Sequence, residues 1–575
     1  MIFSNLAIIA YTTLLSFDFI QLVYSVPVTI SPSIVNDNLI SHKVSGENGA
    51  VSVENEQCSN IGLEILKEGG NAVDSAIASA LCIGVINSFA TGIGGGGFML
   101  IRTPSGEYDF IDFRESSPAA STEDMYTLNS TLSQVGGLSV SIPGEIRGYE
   151  LAHSKYGKLP WSRLFQDAIN IARDGFIANE LMHQRLLISQ DWMLDSPEWL
   201  EIYAPNGTIV KPGQIIKRPA LAKTLSTIAI EGADAFYKGY IAESLVNTTK
   251  ATGGILTLDD FSNYSAIHRP VISTNYHNHK VFTTSAPTSG PIILNVLNLI
   301  EPFNFSKSGP TSLNYHRFIE ALKFGYAART EIGDPLFTDN QDRLDEFITK
   351  EWADSIRPQI TDDETHILSY YNPKYEDNDP HGTMHLSVLD KDNGAVALTS
   401  TINLLFGSRI MDRATGIILN DQQDDFSSPG VVNAFGFSPS RNNYVGPDKR
   451  PLSSITPVII ENEKGQLEMV VGGSGGSQIV SATLNVIINS LDFKQDIFEA
   501  VGAPRLHHQL MPNLLGTEIG FDIDILEKLA ERGHKIYEID SKVGIFSSVQ
   551  GIFRHSNGTV DAASDPRKFG LAAAY

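Results

Sequence analysis

What is scarce in this chain narrows its chemistry before any motif is read. Cysteine is nearly absent: Cys58 and Cys82 are the two in 575 residues, and with no His or Cys cluster beside them they argue against a metal site. Positive charge is short. Lysine and arginine total 42 against 66 aspartates and glutamates, a net charge of −24, which argues against sequence-independent nucleic-acid binding and against docking on anionic lipid. The acidic excess is spread out and reads as solubility. Low-complexity tracts and fixed-period repeats are missing, and after the first residues no apolar run is long enough to span a bilayer.

The N-terminal run "MIFSNLAIIAYTTLLSFDFIQLVYSVPV" is mostly apolar from Leu6 to Leu15 and offers a small-residue cleavage site at Val23-Tyr24-Ser25. Residues 1–25 are therefore expected to be an export signal, although the segment before the apolar run lacks Lys and Arg. A type II membrane anchor is the alternative; it wants an unbroken apolar run and flanking positive charge, and Asp18 interrupts the run. The N-x-[ST] triplets at Asn129, Asn206, Asn247, Asn263, Asn304 and Asn557 suit a secreted glycoprotein. "CSNIGLEILKEGGNAVDSAIASALCIGVINS" reads as two helices, the first capped by Ser59 or Asn60 and ended by Gly69-Gly70, the second capped by Asn71. Antiparallel packing would bring both cysteines to the open end of the pair. A disulfide is feasible there in an oxidising compartment, with two buried thiols as the alternative.

Further on, "TGIGGGGFMLIRTPSGEYDFIDFRESSP" is a Gly-rich turn followed by two strands joined at Pro104-Ser105-Gly106. Helical patterns dominate from about Gly144 to Lys350, as in "GEIRGYELAHSKYG" and "FIEALKFGYAARTEI". The polar, acidic run from Thr361 to Pro380 is a candidate boundary, because such composition buries little apolar surface. Beyond it come short β-rich runs, "HLSVLD", "GAVALTSTI", "GIILND", "SSITPVIIEN" and "LEMVVGG", then helical patterns at Gln478 to Leu491 and Ile523 to Arg532. Sheets covered by helices, an α+β layered fold, are implied.

Few of these segments point to chemistry by themselves. "GIGGGG", Gly92 to Gly97, matches a dinucleotide fingerprint, but a helix precedes it and a strand follows, the reverse of what that fingerprint needs. Close passage of backbone is the better reading. Arg114 alone would be a surface ion pair; it gains interest if a small carboxylate is the ligand, because a guanidinium grips carboxylate bidentately. In "DPHGTMHLSVLDKDNGAVALTSTINLLFG", strand alternation puts Thr383, His385 and Ser387 on one face, and Asn393-Gly394 marks a hairpin turn. Thr383 then falls opposite roughly Ile402 to Leu404, near Thr401 and Asn403. A Thr hydroxyl is a poor nucleophile unless Thr is N-terminal, when its own α-amine serves as base. That requires the Gly382-Thr383 bond to break, and attack by Thr383's own hydroxyl on the Gly382 carbonyl would break it.

"GIGGGGFM", "DFRES", "HGTMHLSV", "STINLLFGS", "NDQQDDFS", "KRPLSSITP" and "VVGGSGGSQ", in this order, resemble the motifs of γ-glutamyltranspeptidases, over nearly the whole chain from about residue 45. The resemblance implies the four-layer αββα sandwich of N-terminal-nucleophile hydrolases, autoprocessed into two associated subunits: 26–382 large and 383–575 small. It further implies Thr383 as autoprocessing residue and nucleophile, with Thr401 hydrogen-bonded to its hydroxyl. Arg114, Ser453 and Ser454 would bind the α-carboxylate of a γ-glutamyl group, and Asn403, Gln422 and Asp425 its α-amine. The N–H groups of Gly475 and Gly476 would form the oxyanion hole. The implied activity is glutathione hydrolysis and γ-glutamyl transfer to amino acids, dipeptides or water, with no metal or organic cofactor.

The sequence departs from the family in places. Met384 replaces a smaller residue, on the face turned away from Thr383. Gln422 stands where vertebrate members carry Glu. Phe435 sits in the segment resembling the active-site lid. Two rivals remain: a catalytically silent homologue that binds γ-glutamyl compounds, and an acylase of the same fold for another acyl group, against which Arg114 with Asp425 argues.

Overall fold

Two antiparallel sheets of seven strands each form the centre. The computed structural model describes residues 43–376, 382–430, 436, 438–539 and 547–575; the expected signal at 1–25 and Phe435 lie outside the described residues. One sheet runs Ala573–Ala574, Ala50–Val53, Met384–Leu389, Ala395–Thr401, Gly96–Arg102, Tyr108–Phe113, Ile267–Arg269. The other runs Val44–Gly46, Val560–Ser564, Ser548–Arg554, Leu467–Ser474, Val458–Glu461, His279–Thr284, Val271–Tyr276. Each sheet thus contains strands from both sides of Gly382-Thr383, so the two segments could not separate without dismantling the core.

Side-chain alternation builds the layers. Met384, Leu386 and Val388 enter an apolar cluster with the helix Ala72–Ile86, whereas Leu389 packs with Ile459, Val470 and Ile552 of the facing sheet. On the far side, Val458, Ile460, Met469 and Val471 pack against the helices Gly290–Ile300, Ser312–Arg329 and Gln478–Leu491. Helix, sheet, sheet, helix is the αββα order. Thr383, His385 and Ser387 share the face between the sheets, where Ser387 Oγ donates to the Gln550 carbonyl at 3.0 Å. Burial between the sheets holds the His385 imidazole neutral, with its pKa pushed down to about 3.

The Gly-rich turn follows the helix Ala72–Ile86 and leads into the strand Gly96–Arg102. A Cβ on Gly94 would lie 2.0 Å from the Ile418 carbonyl oxygen, and one on Gly95 2.1 Å from that of Thr401. The glycines therefore serve close backbone passage. Cys58 and Cys82 form a disulfide across the helix pair, which settles the alternatives left open by spacing. Asn71 caps the second helix in a capping box with Asp74. The first helix, however, is Glu56–Lys67, capped by Asn55 rather than Ser59 or Asn60, because the Asn55 side chain accepts the Gln57 N–H at 2.9 Å.

Other differences have equally local causes. The strands at Ile267–Arg269, Val271–Tyr276 and His279–Thr284 interrupt the expected helical half; the first two are sheet edges, the third lies next to one, and all are only partly buried, so their apolar signal is weak. "GIILND" forms an isolated bridge between Met411 and Ile418 instead of a strand. In "SSITPVIIEN" the strand is Val458–Glu461, starting only after Pro457, which has no N–H for a ladder. Of the run from Thr361 to Pro380, residues 377–380 lie outside the described residues; the part up to Glu376 is held by partners outside itself: Arg317 grips the Asp362 carboxylate through two bonds of 2.7 Å, and the buried Tyr371 donates to Glu320 at 2.6 Å. Among the described residues no helix is long and apolar enough to cross a membrane, and all the sequon asparagines, Asn129 to Asn557, are exposed.

Candidate active site

Thr383 immediately precedes the strand Met384–Leu389 and is 4% exposed. The ladder pairs Met384 with Ser400, which brings Thr383 level with Thr401, slightly nearer the turn than counting from Asn393-Gly394 suggested. The Thr383 hydroxyl donates to the Gly382 carbonyl oxygen, and the Thr401 hydroxyl donates to the same oxygen at 2.8 Å. The Asn403 N–H donates in turn to Thr401 Oγ1 at 2.8 Å, orienting it. In the uncut chain Thr401 therefore addresses the carbonyl of the bond to be broken rather than the Thr383 hydroxyl. A donor there withdraws electrons from the carbon that Thr383 Oγ1 would attack.

Gly382 has φ +106°, and a Cβ on it would meet the Asn403 carbonyl oxygen at 1.9 Å. A larger residue must move this backbone. Gly382→Ala is expected to slow cleavage at 382–383 by about 100-fold, the cost of an ångström-scale misplacement; the fraction of cut chain on a denaturing gel over time measures it.

Thr383, Thr401, Gly382, Arg114, Asn403, Asp425, Ser453, Ser454 and Gly476 line one small cavity. Arg114 follows the strand Tyr108–Phe113 and is 1% exposed, not a surface ion pair. Its Nη2 donates to the Asp425 carboxylate and to the Leu452 carbonyl at 3.1 Å, while its backbone is held by Asp112 and Tyr264. Gln422 reaches the cavity through Asp425, to whose Oδ2 it donates at 2.6 Å. Ser453 takes its place through its N–H on the Pro287 carbonyl, and Ser454 Oγ accepts from Arg329 Nη2 at 2.7 Å. Gly475 and Gly476, at φ +115° and +64°, turn the chain from the strand Leu467–Ser474 toward the helix Gln478–Leu491. Cation, carboxylate, hydroxyls and glycine turn converge on a single nucleophile candidate. The lining offers groups of both signs, a guanidinium suited to an anion and a carboxylate suited to an ammonium.

Acid is in excess around Arg114. Burial pushes the Glu115 carboxyl up to about 8 and Glu145 to about 7, and also raises Asp425 and Asp421. Glu145 accepts from the hydroxyl of Ser400, next to Thr401. Because its pKa is raised from 4.5 on folding, its contribution to stability is full below the unfolded value and is lost as pH rises through about 7. Wild-type Tm is expected to fall between about pH 5 and pH 8, and Glu145→Gln to lessen the fall; thermal melts across that range check it.

Two residues at the site carried no sequence signal of their own. Lys568 Nζ, buried, donates to the Thr383 carbonyl oxygen at 2.9 Å. Arg329, on the helix Ser312–Arg329, positions Ser454 and also donates to Ser289 Oγ at 3.0 Å. A lysine near the C-terminus and an arginine at a helix end read as solvated charges until the fold is known. Among the described residues the one grouping of metal-ligand side chains is His316, Glu320 and His534. There His316 Nδ1 and His534 Nε2 share a 2.8 Å hydrogen bond and Glu320 is engaged by Lys323 and Thr365. It is a hydrogen-bonded polar core, apart from the residues lining the cavity.

Comparison with known proteins agrees with this geometry. The profile of the family described as Gamma-glutamyltranspeptidase matches residues 58–575. Glutathione hydrolase proenzyme 1 of Schizosaccharomyces pombe is 46% identical over 539 residues, 92% of this chain and 85% of that protein. Among solved structures, a cephalosporin acylase from Bacillus halodurans superposes with TM-score 0.82 at 24% identity, covering 95% of this chain and 99% of that one, a likeness of fold. The γ-glutamyltranspeptidase of Helicobacter pylori matches at 31% identity and TM-score 0.52, over 54% of this chain and 90% of that one. Profile, relatives and the cavity around Thr383 agree: the chain belongs to the γ-glutamyltranspeptidase family.

Proposed function

We propose that this chain is a glutathione hydrolase and γ-glutamyltransferase that matures by cutting itself between Gly382 and Thr383. The observation that carries the reading is the convergence of the Thr383 and Thr401 hydroxyls on the Gly382 carbonyl, beside a cavity holding Arg114 and Asp425. Thr383 Oγ1 attacks the Gly382 carbonyl carbon, the C–N bond breaks, and the amide nitrogen leaves as the α-amine with a proton. Water then hydrolyses the resulting ester, leaving residues 26–382 as the large chain and 383–575 as the small one. Strands from both chains share each sheet, so the two stay together as a heterodimer.

The freed α-amine, whose ordinary pKa is about 7.7–8.0, takes the Thr383 hydroxyl proton. Oγ1 attacks the γ-carbonyl carbon of glutathione, and the N–H groups of Gly475 and Gly476 stabilise the oxyanion. Collapse expels cysteinylglycine, which receives the proton, and leaves a γ-glutamyl ester on Thr383. Water releases glutamate; the amine of an amino acid or dipeptide instead takes the γ-glutamyl group. Arg114, Ser453 and Ser454 bind the α-carboxylate, and Asn403, Gln422 and Asp425 the α-ammonium. A zwitterionic head is thereby preferred over a plain acyl chain. Residues 1–25 direct secretion, and the exposed sequons receive glycans.

Release of p-nitroaniline from γ-glutamyl-p-nitroanilide tests the reading. Turnover is expected with that substrate and with glutathione. Hydrolysis of simple acyl or cephalosporin-type amides in their place would make the chain an acylase, and binding without turnover a silent homologue.

A further inference from the structure

Behind Thr383 lies a buried polar cluster that the reaction above leaves unused. Glu54, just past the strand Ala50–Val53, is 1% exposed. Its Oε1 accepts from Lys568 Nζ at 2.9 Å, from Ser548 Oγ at 3.0 Å and from the Ser474 hydroxyl, with the His385 N–H farther off at 3.4 Å. Lys568 Nζ also donates to Ser474 Oγ at 2.6 Å and to the Thr383 carbonyl at 2.9 Å. Glu54, Lys568 and Ser474 therefore close a ring. Thr383 is attached to one corner, and Gly475-Gly476 follows directly from another.

Cleavage gives this ring a task. Once the Gly382-Thr383 bond is gone, Thr383 is a chain terminus, and termini fray unless tied down. The ladder to the neighbouring strand begins at Met384, so the carbonyl of Thr383 is held by Lys568. An ammonium buried without a counter-charge is costly and readily sheds its proton. Glu54 supplies the charge and fixes the direction of Nζ, and it also holds the hydroxyl leading into the oxyanion turn.

We propose that Glu54 is a positioning residue that, acting through Lys568 and Ser474, holds Thr383 and the Gly475-Gly476 turn at their working separation. The proposal rests on the reading of Thr383 as nucleophile. It makes the rate of the mature enzyme depend on a large-chain carboxylate that never touches substrate.

Glu54→Gln, Lys568→Met and the double variant are compared with wild type on γ-glutamyl-p-nitroanilide, with kcat normalised to the cut fraction and Tm measured for each. Glu54→Gln is expected to lower kcat by about 100-fold, with KM within about 3-fold because the head-binding groups are untouched. In the double variant no uncompensated charge remains, so Tm should return toward wild type. Its kcat should stay at the level of the single variants, since neither can hold the ring alone. Should Glu54→Gln fail to fold, Ser548→Ala removes one donor to Glu54 and is expected to lower kcat about 3- to 5-fold at constant KM. A kcat that recovers together with Tm, a loss carried by KM, or an unchanged kcat in Glu54→Gln or Ser548→Ala would overturn the proposal. An inactive wild type would instead overturn the functional reading beneath it.

Discussion

Replacing Thr383 by alanine is expected to leave one uncut polypeptide and to lower γ-glutamyl turnover by at least about 10⁴-fold. Both effects follow from one atom. Oγ1 is the group poised at the Gly382 carbonyl, and on the proposed mechanism the same oxygen carries the γ-glutamyl ester. No neighbour can take over: Thr401 sits on the same carbonyl, but its backbone lies within the strand Ala395–Thr401, so it never acquires a free α-amine. Thr383→Ser keeps the oxygen and should cut and turn over slowly, because it lacks the branch that restricts χ1 and its hydroxyl samples more rotamers. Gel analysis and the p-nitroanilide assay read the two effects separately.

Arg114→Met is expected to lower kcat/KM by about 10²- to 10³-fold while cleavage continues. Arg114 is buried against Asp425, so removing its charge withdraws the partner of a carboxyl already raised by burial, as well as the proposed site for the substrate carboxylate. The loss should fall mainly on KM. Arg114→Lys restores the charge without the planar fork that matches a carboxylate, and should recover only part of the loss. Cleavage should persist because the Gly382 carbonyl is addressed by Thr383 and Thr401, not by Arg114. An unchanged KM in Arg114→Met would remove Arg114 from head recognition.

The site residues are legible through the ordered motifs that resemble γ-glutamyltranspeptidases, not through spacing. Gly382-Thr383 at a strand start, Ser453-Ser454 before a strand and Gly475-Gly476 between strand and helix each read as ordinary backbone features by themselves, and the fold adds that Gly382, Thr383, Ser453, Ser454 and Gly476 line one cavity. The pairing of Thr383 with Thr401 was nearly countable from the Asn393-Gly394 turn; the loop from Asp390 to Gly394 shifts it slightly. Lys568, Arg329 and Glu54 were not legible, since each acquires its role by burial against segments distant in sequence. Glu54 and Lys568 are 514 positions apart. The strands from Ile267 to Thr284 were hidden for a related reason. Val271–Tyr276 and His279–Thr284 complete a sheet whose centre comes from residue 458 onward, and Ile267–Arg269 edges the other sheet beside Tyr108–Phe113, so each pairs with sequence that local periodicity cannot see. The Thr361 to Glu376 stretch shows the converse, a polar run ordered by Arg317 and Glu320 of a distant helix.

The central claim is that Gly382-Thr383 is cut by Thr383 itself and that the cut creates the catalytic group. N-terminal sequencing of the separated chains of the purified protein tests it most directly. The account predicts a smaller chain beginning Thr383-Met384-His385, absent from Thr383→Ala. A full-length chain that degrades glutathione while intact, or a smaller chain starting elsewhere, would contradict it.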